Sequence, residues 1–517
     1  MRYCWPEDTQ FEKITLPPEF SECPFCSGKL WICGHRKRKL FSLQGPKQIV
    51  SQITHCSKED CPGSKKTFNP TSEQAIAMPR WLIGWDVVAF IGHRRFTYNH
   101  SVNEIRTELL NNYQIVISHD IIENHIQFYQ SIVAARHTDI VLLTQKYSSE
   151  KDLWLSIDGI QPEKGHETLY VVREIRQKRV LFAQPLLSST SDELEKLFIR
   201  AKEMSEQLKR PVGLWMSDKQ DAFVKGISKI FPSVPHRYCE NHFLRDVAKQ
   251  VLEIDSKMKV DLRKKIRGLS EVEREMNKVI AEKIIKNSYI PGKGREQVVL
   301  DYCSGLRGII TDDQGGPLYP PGLKMAEATM EFRDSLVECL KMRKGGEAEK
   351  GISKLVDLIE NALKSVKRRI KTIRKYVSEI REVNKCIDPK TGTQEDRKAK
   401  LQNLYTQYNS TIDKTLLYMA GVMERFSPGL FVGGDDPSLP RDNLELERFF
   451  RTPKGHERRI HGHRHAGVRI VVEGATLIPA LDAHLHHPEG FKIVDLLPYK
   501  NVKIPEEQKK SKERKKK

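Results

Sequence analysis

The stretch WLSIDGIQPEKG, residues 154–165, places a carboxylate inside an apolar run and a glycine directly after it. The apolar residues predict a buried strand that ends near Asp158. A buried carboxylate without a partner is costly, so we expect Asp158 to have a partner elsewhere in the chain. Gly159 would leave room beside that carboxylate for a ligand, and a simple turn explains the glycine equally well.

Strands and helices alternate on both sides of this stretch. The runs LWLSIDGI, ETLYVVREI and RVLFAQPLL predict three strands, and an amphipathic helix begins at Ser191. VGLWMSD predicts a fourth strand that ends at Asp218, and HRYCENHF predicts a short fifth strand running into a helix. This order is that of an RNase H-like α/β fold. In such a sheet Asp158 and Asp218 lie side by side at one edge, where ligands bind.

Two neighbouring carboxylates raise each other's pKa unless a cation lies between them. Mg²⁺ or Mn²⁺ with oxygen ligands is the expected cation. Two-metal sites hold ions about 3.5–4 Å apart and usually need a third carboxylate. The candidate is Glu447, in the predicted helix RDNLELERFFRTPKGHERRIHG, 441–462, just before two phenylalanines that should face the core.

Residues 1–72 carry cysteine pairs with the spacing of zinc ligands. Structural zinc takes four ligands in a tetrahedron, and a zinc ribbon supplies them from two turns. The expected ligands are Cys23, Cys26, Cys56 and Cys61. Alternatives for one ligand are Cys33, His35 and His55, and free core cysteines are the alternative for the whole set. Between the pairs, a basic run that phosphate could reach comprises Arg36, Lys37, Arg38 and Lys39.

Residues 78–140 predict a helix-turn-helix DNA-binding domain. Ser101-Val-Asn-Glu104 is a capping box that opens a helix through Leu110. Ser118 is the expected N-cap of a second helix from His119 to Tyr129. A capped second helix after a short turn is typical of a helix that enters the DNA major groove, although helix pairs occur in many proteins.

Residues 251–432 predict a long helical insertion. Apolar residues recur there at steps of four and three from Ile352 to Ile380, which is a heptad pattern. A second helical pattern at 395–426 predicts an antiparallel coiled-coil hairpin with a scaffolding or DNA-contacting role. The RNase H-like domain would then comprise 150–250 and 433–485, and the lysine-rich end, 486–517, predicts a disordered basic tail.

The composition favours an intracellular protein with a polyanionic partner. The 517 residues include 87 Lys and Arg against 68 Asp and Glu, a formal net charge of +19. Such an excess suits double-stranded DNA, although a solubilising surface is the alternative. No stretch reaches the roughly 20 apolar residues of a membrane span, and a signal-peptide core is absent. We therefore expect no membrane partner and read the ten cysteines as thiols or metal ligands.

Two blocks of sequence resemble DDE transposases of the Mutator-like and related bacterial insertion-sequence superfamily. SDKQDAFVKGISKIFPSVPHRYCENHF, 217–243, resembles the family's second-aspartate block with its C-x-x-H pair. DNLELERFFRTPKGHERRIHGHRHAG, 442–467, resembles its last block. A long helical insertion between the second and third acids is also a family trait. The resemblance covers about 150–250 and 435–470.

The resemblance implies a catalytic triad of Asp158, Asp218 and Glu447 that holds two Mg²⁺ or Mn²⁺ ions. The family often has Thr-Asn-Asn-x-x-Glu where this chain has Asp-Asn-Leu-Glu-Leu-Glu, so Glu445 is a rival for the third acid. Asp221 is either an auxiliary ligand or an exposed capping residue. Residues implied to support the active site, by packing or as half of a metal site, are Cys239, His242 and Asn443.

Basic residues crowd the stretch after the third acid. They would bind the phosphates of the DNA end being cut, and a solvated basic face is the alternative. The residues assigned to DNA are Arg451, Lys454, Arg458, Arg459, His461 and Arg464, and His456, His463 and His465 lie in the same stretch.

The predicted function is that of a transposase that binds transposon-end and target DNA and catalyses metal-dependent strand cleavage and strand transfer. A domesticated transposase that binds DNA without cutting it is the main alternative, and an RNase H-like nuclease is a third. The resemblance implies a homodimer or higher oligomer on DNA. A compartment without disulfides fits a prokaryotic cytoplasm, with the protein at the nucleoid.

Overall fold

The computed structural model describes residues 4–161, 167–286, 288, 290, 294–342, 345–462 and 467–516, with side chains through 514. The strands are β1 (Glu12–Leu16), β2 (Leu30–Leu40), β3 (Lys47–Cys56), β4 (Leu153–Ile160), β5 (Thr168–Glu174), β6 (Arg179–Leu186), β7 (Val212–Ser217) and β8 (His236–Tyr238). The helices are α1 (Trp85–Phe96), α2 (Val102–Tyr113), α3 (His119–His137), α4 (Ile140–Lys146), α5 (Ser191–Gln207), α6 (Asp221–Ile230), α7 (Glu240–Lys265), α8 (Leu269–Ile285), α9 (Arg295–Thr311), α10 (Pro321–Met342), α11 (Glu347–Ile387), α12 (Gln394–Asn409), α13 (Lys414–Leu430), α14 (Leu444–Phe449), α15 (Arg451–His461), α16 (Gly467–His486), α17 (Ile493–Leu496) and α18 (Glu506–Lys516).

The chain divides into two compact units. Unit 1 comprises Met1–Val234 and Asn443–Lys517, and unit 2 comprises Pro235–Asp442. The protein is a mixed α/β protein with small sheets and a large helical part. The finer domain boundaries within unit 1 stay predictions. Among the described residues, no helix combines the length and the apolar character that a membrane span requires.

A central sheet in unit 1 has the strand order β6-β5-β4-β7. β4 is antiparallel to β5 and parallel to β7, and the parallel pair needs a crossover, which α5 supplies. One face of the sheet packs against α5 and α6, where Phe198, Trp215 and Phe223 are fully buried. The other face packs against α16, whose Gly474 lies so close to Leu169 that a side chain would not fit. The sheet is therefore covered on both faces.

The predicted helix pair in 78–140 is present. Ser101 and Glu104 form the predicted capping box, and the side chain of Ser118 accepts a hydrogen bond from the N–H of Ile121 at the start of α3. α3 runs to His137 instead of Tyr129 because residues such as Ile132 continue its buried face against α1 and α16. The DNA-binding role of the pair stays a prediction.

The heptad pattern of α11 is confirmed as a buried seam, whose members from Ile352 to Ile380 are all buried. The predicted coiled-coil hairpin is found only in part, because α11 contacts α12 after the predicted turn but its seam packs chiefly against α7 and α10. The second helical pattern splits into α12 and α13, which pack on each other. Asp413 causes the break, since its carboxylate caps the N–H groups of Thr415 and Leu416 and is held by Tyr376.

The prediction of a disordered tail over 486–517 is also wrong. Phe491 and Leu496 are buried in the core of unit 1, and α18 packs against α16. Within α18, the side chains of Gln508 and Ser511 are buried. The composition of this segment suggested a solvated chain, but polar residues on one face of the helix form hydrogen bonds with other parts of the fold.

Candidate active site and metal centre

The four predicted cysteine ligands, all within the first 61 residues, lie close together in the structure. Their Sγ atoms all lie within 4.8 Å of one another, with Cys23 to Cys61 at 3.8 Å and Cys26 to Cys56 at 3.5 Å. Tetrahedral thiolates at about 2.3 Å from a zinc ion are about 3.8 Å apart, so the group fits zinc. Cys33 lies outside the group and donates to the carbonyl of Ile53, beside an irregularity of β2 between Ile32 and Gly34.

The electrostatics of the four thiols also favour a bound cation. The backbone N–H of Gly63 favours the Cys61 thiolate, but burial and the three neighbouring sulfurs raise the pKa of Cys61 to about 12. At Cys23 burial disfavours the thiolate, yet the N–H groups of Phe25 and Cys26 outweigh it and lower the pKa to about 7. Crowded thiols cannot all ionise without a positive charge among them, and a zinc ion supplies that charge.

The basic run of β2 divides into structural and exposed residues. Arg38 donates to Glu73 Oε1 at 2.8 Å and to the carbonyl of Met78, and its side chain is mostly buried. Arg36 also pairs with Glu73. Of the residues assigned to DNA here, Arg36, Lys37 and Lys39 are exposed, and Lys39 lies over the ring of Phe11. The arginines therefore hold β2 against the Glu73 segment, which the sequence did not indicate.

Three predicted acids approach one another in unit 1. Asp158 is the sixth residue of β4, Asp218 follows the last residue of β7, and Glu447 lies in α14. All three side chains are half-buried. Because β4 and β7 are parallel neighbours, their ends bring the two aspartates to one edge of the sheet.

The charges of these acids act on each other. Burial, with smaller contributions from the charges of Asp218 and Glu447, raises the pKa of Asp158 to about 7. The N–H of Gly159, 2.7 Å from Asp158 Oδ1, and the charge of Lys454 oppose that increase. Asp158 therefore does have charged partners, two of which are carboxylates. A divalent cation with oxygen ligands would relieve this repulsion.

The carboxylates are spaced more widely than the thiols. Among the described residues, the cysteines are the only group of three or more potential ligands with all ligand atoms within 4.8 Å. A single ion would need tighter spacing, whereas two ions about 3.5–4 Å apart bind carboxylates at opposite ends of a longer site. Within the described residues, these three carboxylates therefore do not form a compact group around one ion.

Glu447 and its rival Glu445 have different surroundings. Glu445 is exposed, and its Oε2 lies 3.1 Å from Lys178 Nζ. The hydrogen bond from Lys178 is the main cause that lowers the pKa of Glu445. Glu447 instead acts electrostatically on Asp158. Asp221 is exposed in the first turn of α6, whose N-cap is Gln220, and its Oδ1 lies 2.7 Å from Lys219 Nζ.

Buried contacts join α14 to the sheet. Asn443 is buried, and its Nδ2 donates to the carbonyl of Ile157 at 3.2 Å, directly beside Asp158. Arg173 on β5 donates to the carbonyl of Glu445 at 3.2 Å and lies over the ring of Phe449. Sequence reasoning missed Arg173, because an arginine within a strand carries no signal of which loop or helix it will hold.

Gly159 has a packing explanation. A Cβ at this position would lie 2.9 Å from Thr168 Cγ2 and 3.0 Å from the ring of Tyr170 on the neighbouring strand. Both expected roles, room for a ligand and a turn, are therefore replaced by close cross-strand packing within β4.

The basic residues after the third acid lie on α15. Those exposed on this helix are Arg451, Lys454, Arg458, Arg459 and His461. His456 is buried instead, with Nδ1 2.7 Å from Asn99 Oδ1. The predicted DNA contact Arg464, with His463 and His465, lies outside the described residues. Lys454 is near enough to Asp158 to lower its pKa, so α15 carries its positive charge beside the acids.

Cys239 and His242 belong to unit 2. Cys239 is fully buried and precedes α7, and His242 is half-buried in the first turn of that helix. No described group of three or more ligands includes either residue. The full burial of Cys239 is compatible with the packing alternative.

The described geometry defines a mixed α/β protein with a four-cysteine group that could bind a metal ion and a separate group of carboxylates beside a basic helix. Comparison with protein-family models found no match, and comparison with curated proteins found none.

Proposed function

We propose that this protein is a DDE transposase with an RNase H-like catalytic domain, which cleaves transposon-end DNA and transfers the strand with Mg²⁺ or Mn²⁺. The observation that carries the proposal is the meeting of Asp158, Asp218 and Glu447, which come from two strands and a helix distant in sequence. The resemblance of 217–243 and 442–467 to transposase blocks supports it independently.

The strand order supports the RNase H-like assignment. Three antiparallel strands, a crossover helix and a parallel fourth strand give the order β6-β5-β4-β7, with the first acid on the central strand. In open α/β sheets, ligands bind at the carboxyl ends of the strands where the order switches. Asp158 on β4 and Asp218 after β7 occupy that position.

Each side chain has a role in the proposed reaction. Asp158, Asp218 and Glu447 would hold the ions, and Asn443 positions α14 through the carbonyl of Ile157. Mg²⁺ or Mn²⁺, when bound, neutralises the charge that develops on the phosphate and activates the attacking oxygen of water or of a DNA 3′-hydroxyl. Lys454 and its neighbours on α15 would bind the DNA backbone and orient the phosphate for in-line attack.

The N-terminal half of unit 1 would recognise the DNA. The cysteine centre, with structural zinc, holds β2 and its exposed lysines, and α2 and α3 form the capped helix pair. Zinc here would contribute folding energy only, because four cysteines leave no position for substrate.

The test is a cleavage and joining assay with the full chain. DNA from either side of the coding sequence, where element ends would lie, is labelled and incubated with Mg²⁺ or Mn²⁺. Asp158→Asn should lower cleavage by more than the roughly 10- to 100-fold that is lost when a residue hydrogen-bonded to a metal ligand is replaced. The matched control is Glu445→Gln, which removes a nearby exposed carboxylate and should retain activity.

Two outcomes would contradict the proposal. Cleavage by Asp158→Asn at the wild-type rate would remove Asp158 from the active site. Specific DNA binding by the wild-type protein without cleavage under either metal would favour the non-cleaving regulator.

A further inference from the structure

Gly455 occupies the interior of α15 without an evident structural reason. A glycine there costs about 1 kcal/mol relative to alanine. Its φ lies outside the left-handed region, and an added Cβ would meet no atom within 4 Å. Neither backbone conformation nor packing inside the protein therefore requires this glycine. A glycine also permits a ligand to approach the backbone closely, which is the remaining use of the open space.

That open space belongs to a cavity of about 460 Å³ on the surface of unit 1. Its walls come from α15, from the chain after α1 and from the end of α16. Ligand pockets commonly measure roughly 300–1,000 Å³, so the cavity can hold a group larger than a phosphate ion.

The inner wall of the cavity is uncharged. His456 stacks on Phe96 with ring centroids 5.5 Å apart, and His484 bonds to the hydroxyls of Thr97 and Tyr129 at 3.0 and 3.1 Å. Burial lowers the pKa of His484 to about 3, so its imidazole is neutral at pH 7. Leu481, Leu485 and Pro488 add apolar surface.

The rim of the cavity carries two cations. Arg451 and Arg459 lie one helical turn before and after Gly455, and both are exposed. Neither pairs with a carboxylate of the described residues. The acid of this helix, Glu457, is buried and faces Arg469 at 3.8 Å. The two positions are about 12 Å apart along the helix axis, and their long side chains can present a guanidinium to an anion at each end of the opening.

We propose that this cavity, the Gly455 pocket, binds one unstacked deoxynucleotide of the DNA strand that lies on α15. Its flanking phosphates bind Arg451 and Arg459, and its base fills the apolar space above Gly455. The inference rests on the proposed function only in taking DNA as the ligand. Inorganic phosphate would not use the apolar wall, and an intact duplex backbone would not enter a cavity.

The test compares two short fluorescent duplexes of one sequence, one blunt and one with a thymidine overhang. Binding to the full-length Asp158→Asn protein is measured by fluorescence anisotropy without added divalent metal, so cleavage is not required. Base stacking on a protein surface is worth about 1–3 kcal/mol per base, so the overhang should bind about tenfold tighter.

Gly455→Leu places a side chain in the pocket at a position with no internal contact. It should abolish the preference for the overhang, while the affinity for the blunt duplex changes less than twofold. The matched control is Gly308→Leu on α9, where an added Cβ also meets no atom within 4 Å. Leu485→Glu, at a side chain 54% exposed, supplies a second obstruction if Gly455→Leu does not fold.

Equal affinity for both duplexes in the protein with an unaltered pocket would overturn the proposed nucleotide binding. An unchanged preference for the overhang in Gly455→Leu and Leu485→Glu would overturn it too. A protein that prefers the overhang but never cleaves DNA would overturn only the proposed transposase activity. Competition by inorganic phosphate as strong as by thymidine monophosphate would also overturn the nucleotide assignment, since only the nucleotide uses the apolar wall.

Discussion

Replacing Asp158 by asparagine should stabilise unit 1 of the metal-free protein while it abolishes the proposed cleavage activity. The carboxylate of Asp158 is half-buried and repelled by Asp218 and Glu447. An asparagine keeps the shape, and its oxygen can still accept the hydrogen bond from Gly159. Without a bound cation, the repulsion between these carboxylates should therefore destabilise the folded protein.

The magnitude follows from the pKa. Burial first, and then the charges of Asp218 and Glu447, raise the pKa of Asp158 from 3.8 to about 7. At 1.36 kcal/mol per pKa unit, the full shift corresponds to about 4 kcal/mol above pH 7. Solvent screening at a half-buried site reduces that figure, so we expect about 2 kcal/mol.

The sign of the pH dependence is fixed by the raised pKa. The folded protein holds the Asp158 proton that the unfolded chain releases near pH 4, so the carboxylate costs stability increasingly as pH rises toward 7. The advantage of Asp158→Asn should therefore be small at pH 5 and largest at pH 8. Mg²⁺ should narrow the difference in stability between Asp158→Asn and the wild-type protein, because cations bound to the proposed site would stabilise the wild-type protein by mass action.

The assay is urea unfolding followed by tryptophan fluorescence in metal-free buffer. All six tryptophans, at positions 5, 31, 81, 85, 154 and 215, lie in unit 1, so the signal reports on that unit. Glu445→Gln is the control, since Lys178 lowers the pKa of Glu445 and the substitution should stabilise nothing. If Asp158→Asn is no more stable than the wild-type protein at pH 8, the three carboxylates do not form one charged site.

Three further predictions concern other parts of unit 1. Cys26→Ser, or removal of metal by a chelator, should release about one zinc ion per chain and unfold residues near the N-terminus. A colorimetric zinc assay and circular dichroism measure the two effects. Full retention of structure without zinc would contradict a role of zinc in folding. Deleting 506–517 should destabilise unit 1 by about 1–3 kcal/mol in urea unfolding, because the buried hydrogen bonds of Gln508 and Ser511 are lost, whereas a solvated tail would cost nothing. Burial lowers the pKa of His484 to about 3, so this group should lower the free energy of unfolding of the wild-type protein by about 2 kcal/mol between pH 7 and pH 5. Unfolding measured at both pH values should show a smaller decrease for His484→Gln. An equal decrease in the two proteins would refute the buried neutral state of His484.

Local patterns in the sequence were sufficient for several elements. The Ser101–Glu104 capping box predicted the start of α2, and the heptad spacing predicted the buried seam of α11. The cysteine spacing predicted the four-thiol group. Each of these depends on residues a few positions apart, or on a ligand geometry that two short turns can satisfy.

Other local patterns were misleading because competing contacts lay far away in the chain. The lysine-rich end suggested disorder, but Ser511 bonds to Glu167 and Gln508 bonds to Thr476. The helical pattern at 395–426 suggested one long helix, but Asp413 ends it by capping a new one. Composition and periodicity do not contain such pairings.

The sequence by itself determined which side chains could carry chemistry, since an aspartate within an apolar strand is costly unless it is used. Only the tertiary structure decided which acids meet it. The parallel pairing of β4 with β7 brings Asp218 to the same sheet edge, and the Asn443 bond to Ile157 brings Glu447 in place of Glu445. Likewise, Gly455 was one unremarked residue of a basic helix until the fold placed an open cavity above it. The physical reason is common to both cases: charge repulsion and open space depend on distances through space, which chain spacing does not specify.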